Sequence, residues 1–228
     1  MALRRFLDKL GFRGDRADAI QLWIAVVLQL VILFFLVSAL WDGRWLLAFT
    51  AAIVFTLTFM PSVIEWQFGI YIPVEFILIN TLFLFASFAL GEVRAFYLRI
   101  WWWDLLLHGF SAIIMGIVGF LFVYVFYSEK KIEMQPLFIG LFSFSFAVSL
   151  GVLWELFEFL MDHFFGTNMM KSGLDDTMTD LMMDVAGAFV ASMIGYWYVR
   201  GESFFFVDRI VRKLIKSQCP KEVKSKKN

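Results

Sequence analysis

The sequence is poor in charged residues and has almost no cysteine, and each shortage excludes a class of protein. Only 18% of its 228 residues are charged, whereas 61% are hydrophobic, and the mean hydropathy is +0.77. A chain this apolar cannot cover a water-facing surface with polar side chains, so a soluble globular protein is excluded. The single cysteine, Cys219, excludes an internal disulfide framework and a metal site built from several thiolates.

The hydrophobic residues occur in runs long enough to cross a bilayer, which requires about 20 apolar residues per helix. Six runs bounded by charged or turn residues predict spans at about 20–41, 45–66, 69–90, 101–126, 137–161 and 177–199. The first run has no small-residue cleavage site, so it is predicted to be a retained anchor. The sequence therefore predicts an all-α, polytopic membrane helix bundle of about six transmembrane helices.

The distribution of basic residues predicts the orientation of these spans. If both termini are cytoplasmic, sixteen of the twenty Lys and Arg residues lie inside and four lie outside. This asymmetry follows the positive-inside rule and predicts a multi-pass inner-membrane protein with both termini in the cytoplasm. We expect a cytoplasmic interfacial segment at 1–19, a transmembrane domain at 20–199 and a basic cytoplasmic tail at 200–228.

Both ends of the chain mix apolar and basic residues. Segments 3–12 and 204–215 have the pattern of helices that lie on an anionic leaflet. The sequence has no internal repeat, no phosphate-binding Gly-rich loop and no separate soluble domain. The expected partner is the lipid bilayer, and no nucleic-acid partner is expected.

Acidic residues, unlike basic ones, occur inside the predicted spans. All Lys and Arg residues lie outside the spans, and seven carboxylates lie within them: Glu65, Glu75, Asp104, Glu155, Glu158, Asp180 and Asp184. An ionised side chain at membrane depth costs several kcal/mol unless it has a partner or faces water. With no internal Lys or Arg, these groups must be protonated, face a wet cavity or bind an external cation. Glu65 and Glu75 are expected to reach the cytoplasmic interface.

Three of the predicted spans each carry two polar residues on one helix face. The pairs are Asp104 with His108, Glu155 with Glu158, and Asp180 with Asp184. At about 1.5 Å per residue, one member of each pair lies roughly 4 to 5 Å from the predicted outer end and the other roughly 9 to 10 Å. The outer layer contains Asp104, Glu158 and Asp180, and the inner layer contains His108, Glu155 and Asp184.

These six side chains are candidate metal ligands. Carboxylates favour Mg, Mn or Ca, and carboxylates with an imidazole also suit Zn or Fe. Six ligands are enough for two ions. Two other interpretations remain open: a proton or cation path, and protonated carboxylates with a hydrogen-bonded histidine that hold the helices together.

Further candidates surround the predicted outer ends of these spans. Arg94 and Arg99, with Glu92, lie in an outer loop where an arginine could bind a phosphate or carboxylate group of a substrate. Asp176 either extends the row of Asp180 or caps its helix. His163 is expected to be a surface residue.

The three polar pairs resemble sequence motifs of known families. The pattern Asp104-x3-His108, Glu155-x2-Glu158 and Asp180-x3-Asp184, followed by 186–188 (Ala-Gly-Ala), resembles YjdF-type inner-membrane proteins and, more distantly, the VanZ-like family. The resemblance covers about 95–190 and places Glu92 near an acidic position of the YjdF-type family. The VanZ-like family implies a connection with the cell envelope.

The leading hypothesis is a metal-dependent membrane enzyme that acts on a lipid or cell-envelope substrate, such as a polyprenyl phosphate. Glu155, Asp180 and Asp184 are predicted ligands. His108 is predicted to be a ligand or general acid/base, and Glu158 or Asp104 a base or second ligand, which makes these three the candidate catalytic residues. The alternatives are a cation- or proton-coupled transporter, with Glu65 and Glu75 at the inner end of its path, and a non-catalytic protein with a structural polar core.

Overall fold

The computed structural model describes residues 16–69, 71–128 and 132–218, which form helices and no strand. The helices are α1 (Arg16–Trp41), α2 (Trp45–Leu57), α3 (Met60–Phe68), α4 (Val74–Phe85) with a π-helical continuation (Ala86–Val93), α5 (Phe96–Arg99), α6 (Trp103–Ser128), α7 (Pro136–Phe165), α8 (Leu174–Val199) and α9 (Phe205–Gln218). The predicted all-α class is confirmed.

The number of spans agrees with the prediction when two short helices count as one. α1, α4 with its continuation, α6, α7 and α8 are each long and apolar enough to cross a membrane. The sixth is the pair α2 and α3, whose axes differ by 42° at the break between them. The described part of the chain thus has five candidate spans, or six with the bent pair.

The bend in the second span corrects the expected continuous helix at 45–66, and Pro61 explains it. A proline inside a helix has no N–H and clashes with the carbonyl four residues earlier, here that of Leu57. The Asn80 side chain of α4 donates a hydrogen bond of 3.1 Å to this freed carbonyl oxygen. The third span also begins later than the predicted residue 69, since Gly69, with φ of 64°, is the C-cap of α3 and α4 begins after Pro73.

Of the two predicted interfacial segments, only 204–215 lies among the described residues. Segment 3–12 lies outside the described residues, as do Lys130, Lys131 and Cys219. Segment 204–215 falls almost entirely within α9, where Val207, Ile210 and Val211 are buried.

The described residues divide into two compact units. In the first (16–96 and 212–218), α1 packs against α2 and α4 around a core that includes Ile32, Ala51 and Phe88. In the second (97–211), α6, α7 and α8 pack against one another in pairs. The second unit contains all six predicted ligands.

Small residues let the helices of the second unit approach closely. A Cβ atom at Gly187 would lie 2.5 Å from the Gly109 carbonyl oxygen, and one at Gly195 would lie 2.6 Å from the Phe120 ring, both on α6. Gly187 and Gly195 thus face α6. Helix α8 therefore packs closely against both α6 and α7. Gly151 faces α8, where an added Cβ would collide with the Asp184 carboxylate.

Candidate functional site

Three helices of the second unit bring the predicted inner layer together. His108 of α6, Glu155 of α7 and Asp184 of α8 each offer one ligand atom, and these atoms lie within 4.8 Å of one another. We call these residues the inner triad. His108 Nδ1 lies 3.4 Å from Asp184 Oδ2 and 3.8 Å from Glu155 Oε1. All three side chains are buried.

Two of the buried carboxylates in this region have no hydrogen-bond donor. Glu155 is 5% exposed and Asp180 is 1% exposed, and neither oxygen of either group accepts a hydrogen bond within the described residues. The nearest basic atoms belong to His108, whose Nε2 lies 3.9 Å from Asp180 Oδ2. Buried polar groups are normally satisfied, so these four oxygens identify the region as a candidate site.

A second acidic group lies next to the inner triad. Asp104, Asp176 and Asp180 offer carboxylate oxygens within 4.8 Å of one another, and we call these residues the outer triad. Asp176 and Asp180 are one turn apart on α8, and their carboxylate oxygens lie within 4.8 Å of each other. Asp176 therefore extends the row of Asp180.

Glu158, which the sequence places in the outer layer, belongs to neither triad. It is buried, and its Oε1 accepts a hydrogen bond of 3.0 Å from Trp154 Nε1 on the same helix. The i,i+3 spacing predicts a shared face correctly but cannot predict that a tryptophan one turn away binds the carboxylate.

A lysine reaches the outer triad, which corrects the expectation that no Lys or Arg is available to the membrane carboxylates. Lys171 Nζ donates a hydrogen bond to Asp104 Oδ2, and it also lies 4.2 Å from the centre of the Tyr97 ring. Lys171 belongs to the loop between α7 and α8. Its partner is 67 positions away in sequence, so spacing could not indicate the contact.

Asp162 at the end of α7 holds this loop in place. Its carboxylate accepts hydrogen bonds from Thr167 Oγ1 (2.5 Å) and from the backbone N–H groups of Met169 (2.7 Å) and Met170 (2.9 Å). An open pocket of about 320 Å³ lies beside this loop, and its lining includes His163, Asn168 and Lys171. The loop therefore fixes Lys171 between the pocket and the outer triad.

The predicted substrate-binding residues are exposed. Arg99 ends α5 in the second unit, and no hydrogen bond or ion pair among the described residues joins it to the triads. Glu92 and Arg94 belong to the first unit. His163 is exposed and stacks on Phe159 with ring centres 5.8 Å apart.

The first unit contains a separate ionic cluster, in which a lysine of α9 binds two buried carboxylates. Lys213 Nζ donates hydrogen bonds of 2.6 Å to Asp18 Oδ1 and to Glu75 Oε1. Glu75 is 4% exposed, so it binds a lysine and does not reach out to water. Burial alone lowers the pKa of Lys213, but the bonds to Asp18 and Glu75 outweigh it and hold the pKa above its ordinary value. Glu65 is half-buried.

Comparison with known proteins identifies the class of protein. Residues 20–201 match the model of a family described as "Predicted membrane protein (DUF2238)". The chain is 32% identical over 151 residues to an uncharacterised protein of Thermotoga maritima, and this match covers 64% of the chain and 75% of the relative. No solved structure matches the chain.

Proposed function

Because the chain belongs to the DUF2238 family of membrane proteins, we propose that it is an integral membrane enzyme of the cell envelope. In this proposal the inner triad binds a divalent metal ion, and the substrate is a lipid or an envelope precursor with an anionic head group. The finer resemblance to YjdF-type and VanZ-like proteins stays a prediction based on the three polar motifs.

The observation that carries the proposal is the shortage of positive charge around buried carboxylates. Asp104, Asp176, Asp180, Glu155 and Asp184 lie in the two triads. In the described part of the chain, the basic side chains that contact them are His108 and Lys171. Uncompensated carboxylates at membrane depth are costly, and a bound divalent cation removes the imbalance.

The donor set of the inner triad fits a transition metal better than calcium. One imidazole nitrogen and two carboxylate oxygens are ligands that Zn, Fe or Mn accept, whereas Ca requires six to eight oxygens. Three protein ligands leave a coordination position for water or substrate, as catalytic sites require. The ion would polarise a phosphoryl or ester oxygen, or lower the pKa of a bound water.

A lipid substrate fits the position of the triads within their helices. Asp104 is in the first turn of α6, and Asp180 is in the second turn of α8. A head group in the interfacial layer could therefore reach them. Lys171 and, as predicted from the sequence, Arg99 would hold its anionic group.

The two alternatives have less support. A transport path through Glu75 would have to break its bond to Lys213. A purely structural polar core relies on hydrogen bonds between helices, but the oxygens of Glu155 and Asp180 accept none within the described residues. We therefore prefer a metal-dependent enzyme.

The first test is elemental analysis of the detergent-purified protein. We expect stoichiometric Zn, Fe or Mn in the wild type and its loss from Glu155→Gln/Asp184→Asn, with folding checked by thermal melting. Glu133→Gln is the matched control, because Glu133 is exposed and belongs to neither triad. No metal in the wild type after incubation with each ion, or full retention in the double variant, would contradict the proposal.

The second test concerns the reaction. Metal-loaded protein is incubated with polyprenyl phosphates and glycerophospholipids in mixed micelles, and released phosphate and lipid products are measured. Turnover that stops on metal removal and in His108→Gln, but continues in Glu133→Gln, is the expected result. Equal turnover in all four samples would show that the inner triad is not the source of the activity.

A further inference from the structure

The outer triad differs from an ordinary cluster of surface acids. Asp176 and Asp180 lie on adjacent turns of α8, and Asp104 comes from the first turn of α6. Each offers an oxygen within 4.8 Å of the other two. An all-oxygen set of this kind suits Mg or Mn.

Asp180 supplies independent evidence that this cluster has a ligand. Its side chain is 1% exposed, and neither of its oxygens accepts a hydrogen bond within the described residues. The carboxylate is therefore desolvated without a donor, which is costly unless a cation binds it. His108 Nε2, at 3.9 Å, is too distant for a hydrogen bond.

Lys171 already places one positive charge against the outer triad. Its Nζ binds Asp104 from a loop that Asp162 holds in place. A lysine ammonium carries a single charge and can be displaced from a carboxylate by a divalent ion. The contact places a cationic group at the position where a divalent ion would bind Asp104.

We propose that Asp104, Asp176 and Asp180 bind a second divalent cation, and that Lys171 competes with it for Asp104. This goes beyond the proposed function, because the outer triad shares no residue with the inner triad. His108 lies between the two sites, with Nδ1 toward Glu155 and Asp184 and Nε2 toward Asp180. The protein would then hold two ions on opposite sides of one imidazole ring.

The test is a Mn²⁺ titration of the purified, metal-stripped full-length protein, followed by EPR of free Mn²⁺ and by equilibrium dialysis. The wild type should bind two ions with different affinities. Lys171→Met should bind the weaker ion about tenfold or more tightly, because a competing charge is removed. Lys171→Arg should resemble the wild type.

Two further variants keep the result interpretable. Asp176→Asn leaves the contact between Lys171 and Asp104 in place, so the fold is expected to persist, and it should lose the weaker ion and retain the other. Asp175→Asn, at an exposed neighbouring position, should retain both.

The outer-site proposal can fail separately from the inner site. If Asp176→Asn binds as many ions as the wild type, or Lys171→Met leaves the weaker affinity unchanged, the outer site is wrong. If Glu155→Gln/Asp184→Asn loses no ion while Asp176→Asn loses one, the inner site is wrong and the outer site stands.

Discussion

The two units of this protein each bury carboxylates, but they treat the negative charge differently. In the first unit, Asp18 and Glu75 share one lysine, Lys213, at 2.6 Å from each carboxylate. In the second unit, Glu155 and Asp180 have only the more distant His108, at 3.8 and 3.9 Å, in the part of the chain that the structure describes. Burial of an acid does not by itself identify a functional site. The distance to the nearest counter-charge is what distinguishes the second unit from the first.

The largest effect is expected from removing Lys213. Lys213→Met removes a cation bound to two buried carboxylates, Asp18 and Glu75, which should cost about 3–5 kcal/mol of unfolding free energy. Thermal or denaturant unfolding in detergent measures the change. Adding Asp18→Asn and Glu75→Gln to Lys213→Met should restore most of the stability. An unchanged melting temperature in Lys213→Met would mean that the two regions do not differ as described.

Neutralising carboxylates of the second unit should not lower the stability of the metal-free protein. Glu155→Gln/Asp184→Asn neutralises two buried carboxylates that share one imidazole, so the metal-free variant should be at least as stable as the wild type. Metal at about one hundred times its Kd should stabilise the wild type by about 2.7 kcal/mol and the variant by none. Melting curves with and without Mn²⁺ or Zn²⁺ measure both changes, with Glu133→Gln as the control. Equal metal-induced shifts in all three proteins would contradict the inner site.

Gly151 offers a steric test of the same site. An alanine here would place its Cβ against the Asp184 carboxylate and 3.0 Å from the Asp184 Cβ. Overpacking of this kind costs about 1–3 kcal/mol. Gly151→Ala should therefore weaken metal binding and lower the melting temperature.

Gly109→Ala is the matched comparison for Gly151→Ala. Its Cβ would meet the flexible end of Met183 at 3.1 Å, so the side chain can move aside. Both changes gain about 1 kcal/mol of helix propensity, which cancels in the comparison. A metal affinity that is equally reduced in both variants would exclude a specific effect on Asp184.

The smallest expected effect is a pH dependence confined to the first unit. The pKa of Lys213 is higher in the folded state than its ordinary value. Its contribution to stability is then complete below the unfolded pKa, about 10.4, and is lost as the pH rises through the folded pKa. The stability difference between wild type and Lys213→Met should be constant from pH 7 to 9 and shrink above about pH 10.4. A constant difference up to pH 12 would contradict the assignment.

The fold was largely predictable because membrane helices carry a strong local signal. Runs of about 20 apolar residues predicted the spans, and helices α6, α7 and α8 match three of them closely. The bend at Thr58 and Phe59 was missed, although Pro61 was a visible signal for it. The start of α4 was misplaced because the loop before it is nearly as apolar as the helices.

The site was predictable only where residues share a helix face and a depth. These two rules identified the inner triad, because His108, Glu155 and Asp184 lie at matching depths on three helices. They could not identify Lys171 or Lys213, whose partners are 67 to 195 positions away in sequence. They also could not indicate that Trp154 binds the Glu158 carboxylate.

The bend in the second span has a consequence for how the protein is made. The Leu57 carbonyl loses its helical partner to Pro61 and gains Asn80, which the ribosome adds later. Until α4 emerges, the α2–α3 segment would expose an unpaired carbonyl to lipid, and each such group costs several kcal/mol. We therefore expect α2, α3 and α4 to leave the translocon as one group. Asn80→Leu should delay this release and lower the yield of inserted protein more than it lowers the stability of the finished one.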